Sequence, residues 1–129
     1  MSDVLIVNDE QDLLAICQMV LEAEGHRVAT VTRGMEAIRF IQRYRPHVLV
    51  LDWVLGDTTG DKVLLQIRKT EGIAGTPVVL MSALPDAASR AAELGANTFL
   101  PKPFDADRLI ATVNGLLQRI RPAQAAQHA

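Results

Sequence analysis

The sequence predicts an α/β fold, a doubly wound sandwich in which five short parallel strands alternate with five helices, and three observations carry that prediction. The unbroken apolar run Val48–Leu51, ending abruptly on Asp52, reads as a strand buried on both faces, which is the habit of parallel sheets. Four other short aliphatic runs alternate with segments whose apolar residues recur at helical spacing, the pattern of βα units. At 129 residues and 49% apolar the chain can bury one substantial core and is too short for two ordinary domains. Right-handed crossovers then leave few other topologies.

In chain order, Val4–Val7 is the first strand and runs into Asn8, Asp9 and Glu10. Leu13, Leu14, Cys17, Val20 and Leu21 form the stripe of a helix of about four turns, closed by Gly25 as a left-handed cap. Arg27–Val31 is a second strand. Thr32 and Gly34 introduce a helix with Ala37, Ile38, Ile41 and Tyr44 on one face, and Pro46 stops it before the Asp52 strand. After Gly60 the stripe Val63, Leu64, Ile67 predicts a third helix with Arg68, Lys69 and Glu71 outside it. Val78–Met81 is the next buried strand and ends on Ser82; Asp86–Leu94 is an alanine-rich helix closed by Gly95. Thr98–Leu100 is a brief strand running into Pro101, Lys102 and Pro103. Asp105 is placed to cap a last helix striped by Leu109, Ile110, Val113, Leu116, Leu117 and Ile120. Residues 1–121 are thus expected to form the domain, and 122–129, which lack an apolar stripe, a disordered tail.

Composition narrows the function classes. A net charge of −2 and a pI near 5.9 supply no basic field for a phosphate backbone, so no direct nucleic-acid partner is expected. The single Cys17 sits at an apolar helical position and reads as a core thiol. The apolar runs are strand-sized, with no charged start and apolar signal core ahead of them, so a cytoplasmic protein with no membrane partner is expected. His26, His47 and His128 lack metal-ligand spacing.

If the five strands are parallel, their C-terminal ends share one rim, and Asn8, Asp9, Asp52, Ser82 and Lys102 all fall on it. Singly, each has an ordinary role as a helix cap, loop residue or solvated charge. Together they describe chemistry. Two carboxylates suit a hard cation such as Mg2+, which binds through one or two acids and keeps several waters. The repulsion between those acids requires a cation or Lys102 to offset it. Ser82 can donate to an anion in the same crevice, and two acids, a hydroxyl and an amine around a metal suit phosphoryl transfer.

The runs VLIVNDE, LVLDWVLGDTTG, VVLMSA and FLPKPF, in that order and closed by an amphipathic helix, resemble the receiver domain of bacterial response regulators, the family of the chemotaxis protein CheY, over roughly Val4–Ile120. The resemblance implies a flavodoxin-like (βα)5 sheet in strand order 2-1-3-4-5 and a cis bond between Lys102 and Pro103. It implies that Asp52 accepts a phosphoryl group from a histidine kinase or phosphotransfer protein, with Ser82 bonding that group and Lys102 facing it. Asp9, Asp52 and the backbone carbonyl of Val54 would ligate Mg2+, with Asn8 reaching it through a water, and Ser82 and Phe99 would form the switch. The expected protein is a single-domain response regulator in a phosphorelay: a phosphoacceptor that catalyses its own phosphorylation and slow dephosphorylation, signalling to an unknown downstream protein through the fourth helix, fifth strand and fifth helix.

Several positions depart from the family's pattern. Asn8 stands where a second acid is usual, which implies weaker Mg2+ binding, and Gly56 replaces a common Pro, which implies a more mobile loop. The neutral Asn97, Thr98 and Thr112 occupy places where related receivers pair through charges, so a monomer or weak dimer is expected. Val54 and Leu84 flank the path of the hydrolytic water in receivers and cannot orient one, implying a long-lived phosphoryl group. Phe99 reads equally well as a core aromatic under the last helix. The main alternative is an unphosphorylated receiver-like interaction module. A flavin protein is disfavoured by the acidic loop NDEQD, and an aspartyl-phosphate phosphatase by Val54 in place of a second acid.

Overall fold

In the computed structural model, which describes the backbone of residues 3–128 and the side chains of residues 3–120, strand and helix alternate from end to end. The elements are β1 (Asp3–Val7), α1 (Gln11–Ala23), β2 (Arg27–Val31), α2 (Gly34–Tyr44), β3 (Val48–Asp52), α3 (Gly60–Lys69), β4 (Val78–Ser82), α4 (Ala87–Leu94), β5 (Thr98–Pro101) and α5 (Ala106–His128). The tail expected at 122–129 falls outside the described side chains. All four strand pairings are parallel, in the order β2-β1-β3-β4-β5. The chain therefore reverses direction of winding between β1 and β3, and the crevice above that switch point is where open α/β sheets bind ligands.

The period of two along each strand sorts the core into two layers. Leu5, Val7, Leu49, Leu51, Val78 and Leu80 face α2, α3 and α4. Val4, Ile6, Val48, Val50, Val79 and Met81 face α1 and α5, where they meet Leu14, Cys17, Leu21, Leu109 and Val113. Because helices cover both faces, β3 and β4 are buried at every position. This is why their sequences are continuous apolar runs without polar alternation. Cys17 is a core residue, 1% exposed. Gly25 and Gly95 take the left-handed conformation after α1 and α4, at φ 90° and 89°. The Arg108 N–H donates to Asp105 Oδ1 at 2.8 Å, the expected cap of α5. Among the described residues no helix is long and apolar enough to cross a membrane.

Tyr44 and Phe99 differ from expectation. Tyr44 does not join the buried stripe of α2; it is 59% exposed and stacks on Phe40 with ring centroids 4.7 Å apart. It sits in the last turn of α2. Phe99 does not lie under the last helix. It packs half-buried against the layer that holds Ala87, Ala91 and Leu94 of α4, because its register with Leu80 puts it on that face.

Arg68, expected on the solvent side of α3, is a structural hub. Its guanidinium donates to the carbonyls of Ala74 (2.9 Å), Thr76 (2.7 Å) and Gly95 (2.8 and 3.1 Å) and to Asn97 Oδ1 (3.1 Å). Asn97 Oδ1 also accepts the Val78 N–H at 2.8 Å. One planar fork thus ties α3 to the segments entering both β4 and β5, and burial lowers its pKa from the usual arginine range. Asn97, singled out as a dimer-facing position, spends its side chain internally. We predict that Arg68→Ala costs roughly 1.5–3 kcal/mol, the range for hydrogen bonds to a charged group. Arg68→Lys should recover little of it, because an ammonium cannot span these acceptors. Urea denaturation of the three proteins checks this, and an unchanged midpoint for Arg68→Lys would remove the fork from the account.

Candidate functional site

The C-terminal ends of β1, β3, β4 and β5 deliver their polar residues to one rim, and register brings these within reach of each other. Val7 pairs with Leu51, so Asn8 and Asp52, the next residues, lie side by side. Asp52 pairs with Met81, and Ser82 with Pro101, which sets Lys102 directly beyond. The Lys102 N–H donates to the Ser82 carbonyl at 2.9 Å, and the Lys102–Pro103 bond is cis. From there Lys102 Nζ donates to Asp52 Oδ2 at 2.6 Å. The Asp52 side chain is only 5% exposed and that of Lys102 24%, so each charge compensates the other where water scarcely can.

The remaining contacts define what each group has left to offer. Asp52 Oδ1 accepts one long bond, from the Val54 N–H at 3.3 Å. Ser82 Oγ accepts the Leu84 N–H at 2.9 Å, which leaves its own proton free to donate. Asn8 is fully buried; its Oδ1 accepts the Glu10 N–H at 2.9 Å, and its Nδ2 has no partner. Asp9 is exposed and reaches across to the loop after β3, where its Oδ2 lies 3.3 Å from the place a Cβ would occupy on Gly56. An open groove lined by Asp9, Gln11, Thr32, Arg33, Gly56 and Asp57 runs between the first three βα loops. Below the rim, burial pushes the Cys17 thiol up in pKa; the Lys102 charge acts against that shift and Asp52 adds to it. Val54 and Leu84, at 62% and 49% exposed, are apolar groups facing solvent beside the pair.

The donor set fits Mg2+. The carboxylates of Asp9 and Asp52 are hard oxygens, and the Val54 carbonyl receives no backbone donor among the described hydrogen bonds, because the Val54–Thr59 bridge is closed by Gly60 N–H on Trp53 O. Among the described residues no three His, Cys, Asp or Glu side chains gather closely enough to hold a metal alone, so water must complete any such shell.

The loop after β3, which holds Gly56, is tied down at two places. Gly60 N–H donates to Trp53 O at 2.6 Å, and a Cβ on Gly60 would collide with the Asp52 carbonyl and with Trp53 Cα, so only glycine permits this approach. Val54 and Thr59 form an isolated bridge. Asp57 accepts the N–H groups of Gly34 (2.9 Å) and Met35 (3.1 Å), capping α2 from another loop. Sequence reasoning did not single out Asp57: a cap normally precedes its own helix, and this one lies 23 residues after the first residue of the helix it serves. On the far side, Arg90 of α4 lies 5.7 Å over the Trp53 ring and 3.6 Å from Asp61 of α3, so α4 touches the residue next to Asp52.

Known proteins resemble this chain over nearly its whole length. A family model described as the response regulator receiver domain matches residues 4–114. The phosphate regulon transcriptional regulatory protein PhoB of Rhizobium meliloti is 32% identical over 121 residues, covering 92% of this chain and 53% of that protein. The receiver domain of NtrX from Brucella abortus superposes with a TM-score of 0.82 at 32% identity, covering 90% of this chain and 98% of that one. A chemotaxis response regulator of Vibrio cholerae superposes with a TM-score of 0.83 at 25% identity, covering 90% and 98%. The chain spans about half the length of the curated relatives it matches.

Desolvation is the largest single influence on the Asp57 carboxyl and acts to raise its pKa, but the N–H groups of Gly34, Met35 and Asp57 itself, with the Arg33 charge, together outweigh it and hold the carboxyl below the usual carboxylate range. A depressed folded pKa means that the cap contributes fully above the unfolded-state pKa and is lost as pH falls through the lower folded value. Asp57→Ala should therefore destabilise by about 1 kcal/mol at pH 7, as for other lost caps, and the gap to wild type should close at acid pH, once the wild-type carboxyl is protonated. Chemical denaturation at the two pH values measures it. A gap that persists in acid would mean that the carboxylate is not what holds α2.

Proposed function

Because the chain belongs to the family of response regulator receiver domains, in which phosphoryl acceptance is general, we propose that Asp52 is its phosphoacceptor in two-component signalling. The observation that carries this reading is the Asp52–Lys102 pair, 2.6 Å apart and almost enclosed at the ligand-binding edge of the sheet. A buried carboxylate that keeps one loosely held oxygen is a nucleophile waiting for an electrophile. Oδ1, with its single long contact, is the attacking atom, while Lys102 holds Oδ2. In the step, Oδ1 attacks the phosphorus of a phosphohistidine on a histidine kinase or phosphotransfer protein. The P–N bond breaks, an acyl phosphate forms, and the departing imidazole takes up a proton.

Mg2+ held by Asp9, Asp52 and the Val54 carbonyl would neutralise charge on the phosphoryl oxygens. Lys102 supplies the fixed positive charge on the other side. Ser82 donates its free proton to a phosphoryl oxygen; moving to do so costs the Leu84 N–H its acceptor, and the segment leading to α4 follows. Phe99, packed against the layer that includes α4, takes up the space released. The signal then leaves through α4, β5 and α5 toward a downstream protein. Neutral Thr98 and Thr112 and an internally bonded Asn97 favour a monomer or weak dimer in a cytoplasmic phosphorelay.

Incubation with acetyl phosphate and Mg2+ should add one phosphoryl group to the wild type and none to Asp52→Asn, read by intact mass, because an amide cannot act as the carboxylate nucleophile. A wild type that takes up no label would favour the unphosphorylated interaction module, and label persisting in Asp52→Asn would move the site elsewhere. The acyl phosphate should also be long-lived, since Val54 and Leu84 present apolar surface where an orienting group would hold the attacking water. Replacing them together, Val54→Asn with Leu84→Glu, should speed loss of label by roughly one to two powers of ten, each ~1.4 kcal/mol of barrier being tenfold. A double variant no faster than wild type would show that water positioning there does not limit the lifetime.

A further inference from the structure

The most completely buried polar side chain at the rim is one whose donor end has no partner. Asn8 is 0% exposed, and its Oδ1 is committed to the Glu10 N–H at 2.9 Å. Only the oxygen of an amide can accept, so this bond fixes the orientation of the group and leaves Nδ2, with its two N–H donors, as the free end. Nδ2 is buried and unpartnered. Buried donors are almost always satisfied, and one left open beside a reactive group calls for a ligand that completes it.

The place of this donor follows from the sheet. Val4 and Ile6 share a core layer with Val48 and Val50, so by alternation Asn8 and Asp52 emerge on that same face. Their strands are neighbours, and Val7 is in register with Leu51. The two side chains therefore start roughly 5 Å apart, the spacing of adjacent strands. Lys102 Nζ already donates to Asp52 Oδ2 and the Val54 N–H to Oδ1. A phosphoryl group on Asp52 brings three strongly accepting oxygens to this spot. An acid at position 8 would repel them unless a cation stood between; an amide donor attracts them.

We propose that Asn8 donates through Nδ2 to a phosphoryl oxygen on Asp52, making it a phosphate-binding residue that partly takes over the work of the divalent cation. The proposal rests on Asp52 being the phosphoacceptor. The result is a site that retains a phosphoryl-like anion at cation concentrations too low for a site with acids at both positions.

Two measurements on the full chain test it, with Asn8→Asp as the variant, since aspartate keeps the acceptor for the Glu10 N–H and removes the donor. The first is the side-chain NH2 signal of Asn8 in a 1H–15N spectrum, assigned by its absence in Asn8→Asp. On adding beryllofluoride with Mg2+, it should move downfield and its exchange with water should slow. The second is acetyl phosphate labelling from saturating Mg2+ down to excess EDTA. Wild type should keep at least about a tenth of its saturated labelling rate under chelation, whereas Asn8→Asp should fall at least a further tenfold. An NH2 signal that stays put while backbone signals around Asp52 shift, or equal cation dependence in the two proteins, would overturn the role of Asn8 and leave Asp52 standing. A wild type labelled nowhere would overturn both.

Discussion

The contact between Lys102 Nζ and Asp52 Oδ2 is the constraint on which the other features of this rim depend. A carboxylate only 5% exposed must be compensated, and the ammonium that does so comes from the far end of the sheet, 50 residues along the chain. Bringing the two together requires β3, β4 and β5 to be parallel neighbours in the observed register. It also requires the backbone after β5 to turn so that Lys102 N–H reaches the Ser82 carbonyl. Both core layers serve that register, since sliding any of these strands by one residue would turn its apolar side chains to the wrong layer and break the pair as well.

The two ends of the sheet are held differently. At the end where β4 and β5 begin, the Arg68 fork and Asn97 stitch carbonyls of two loops to α3 with several charged bonds. At the end that carries the site, loops are tied at single points: Asp57 on the start of α2, Gly60 on the backbone around Asp52, Arg90 against Trp53 and Asp61. Such an arrangement holds Asp52 in place while leaving the segment from Ser82 to α4 with few bonds to break. On the proposed reading that segment is the one that would move, in keeping with the low local stability of elements that take a second arrangement.

The charge inventory of the site is leaner than its outline suggests. Asp9 is exposed, Asp52 is paired, Lys102 is the facing cation, and Asn8 is neutral and fully buried. Combined with apolar Val54 and Leu84 at the mouth, this charge balance supports the proposed reading of a site that holds an anion longer than it turns it over. It has donors around the acceptor and little that could guide a water. If Asp52 is the phosphoacceptor, as proposed, retention of its phosphoryl group would be set by hydrogen bonds within the protein as much as by the cation supply.

The elements were legible in the sequence because they rest on local physics. Val48–Leu51 announced a two-sided strand, Gly25 and Gly95 marked left-handed helix ends, and Asp105 marked a cap; each depends on residues within a turn or so of itself. The membership of the rim was legible as well, since parallel strands put Asn8, Asp9, Asp52, Ser82 and Lys102 on one edge once they are recognised as strand ends. What only the tertiary structure decided was how the partners between those residues are shared out. Arg68 looked like a solvated charge and proved to be a hub, and Asp57 caps a helix that precedes it in the chain. Phe99 faces α4, and Asn8 points a donor where an acceptor was expected. The physical reason is that hydrogen bonds between segments far apart in sequence leave no periodicity or spacing behind. The sequence alone determined the strands, the helices and the shared edge; register and crossover geometry decided which donor meets which acceptor there.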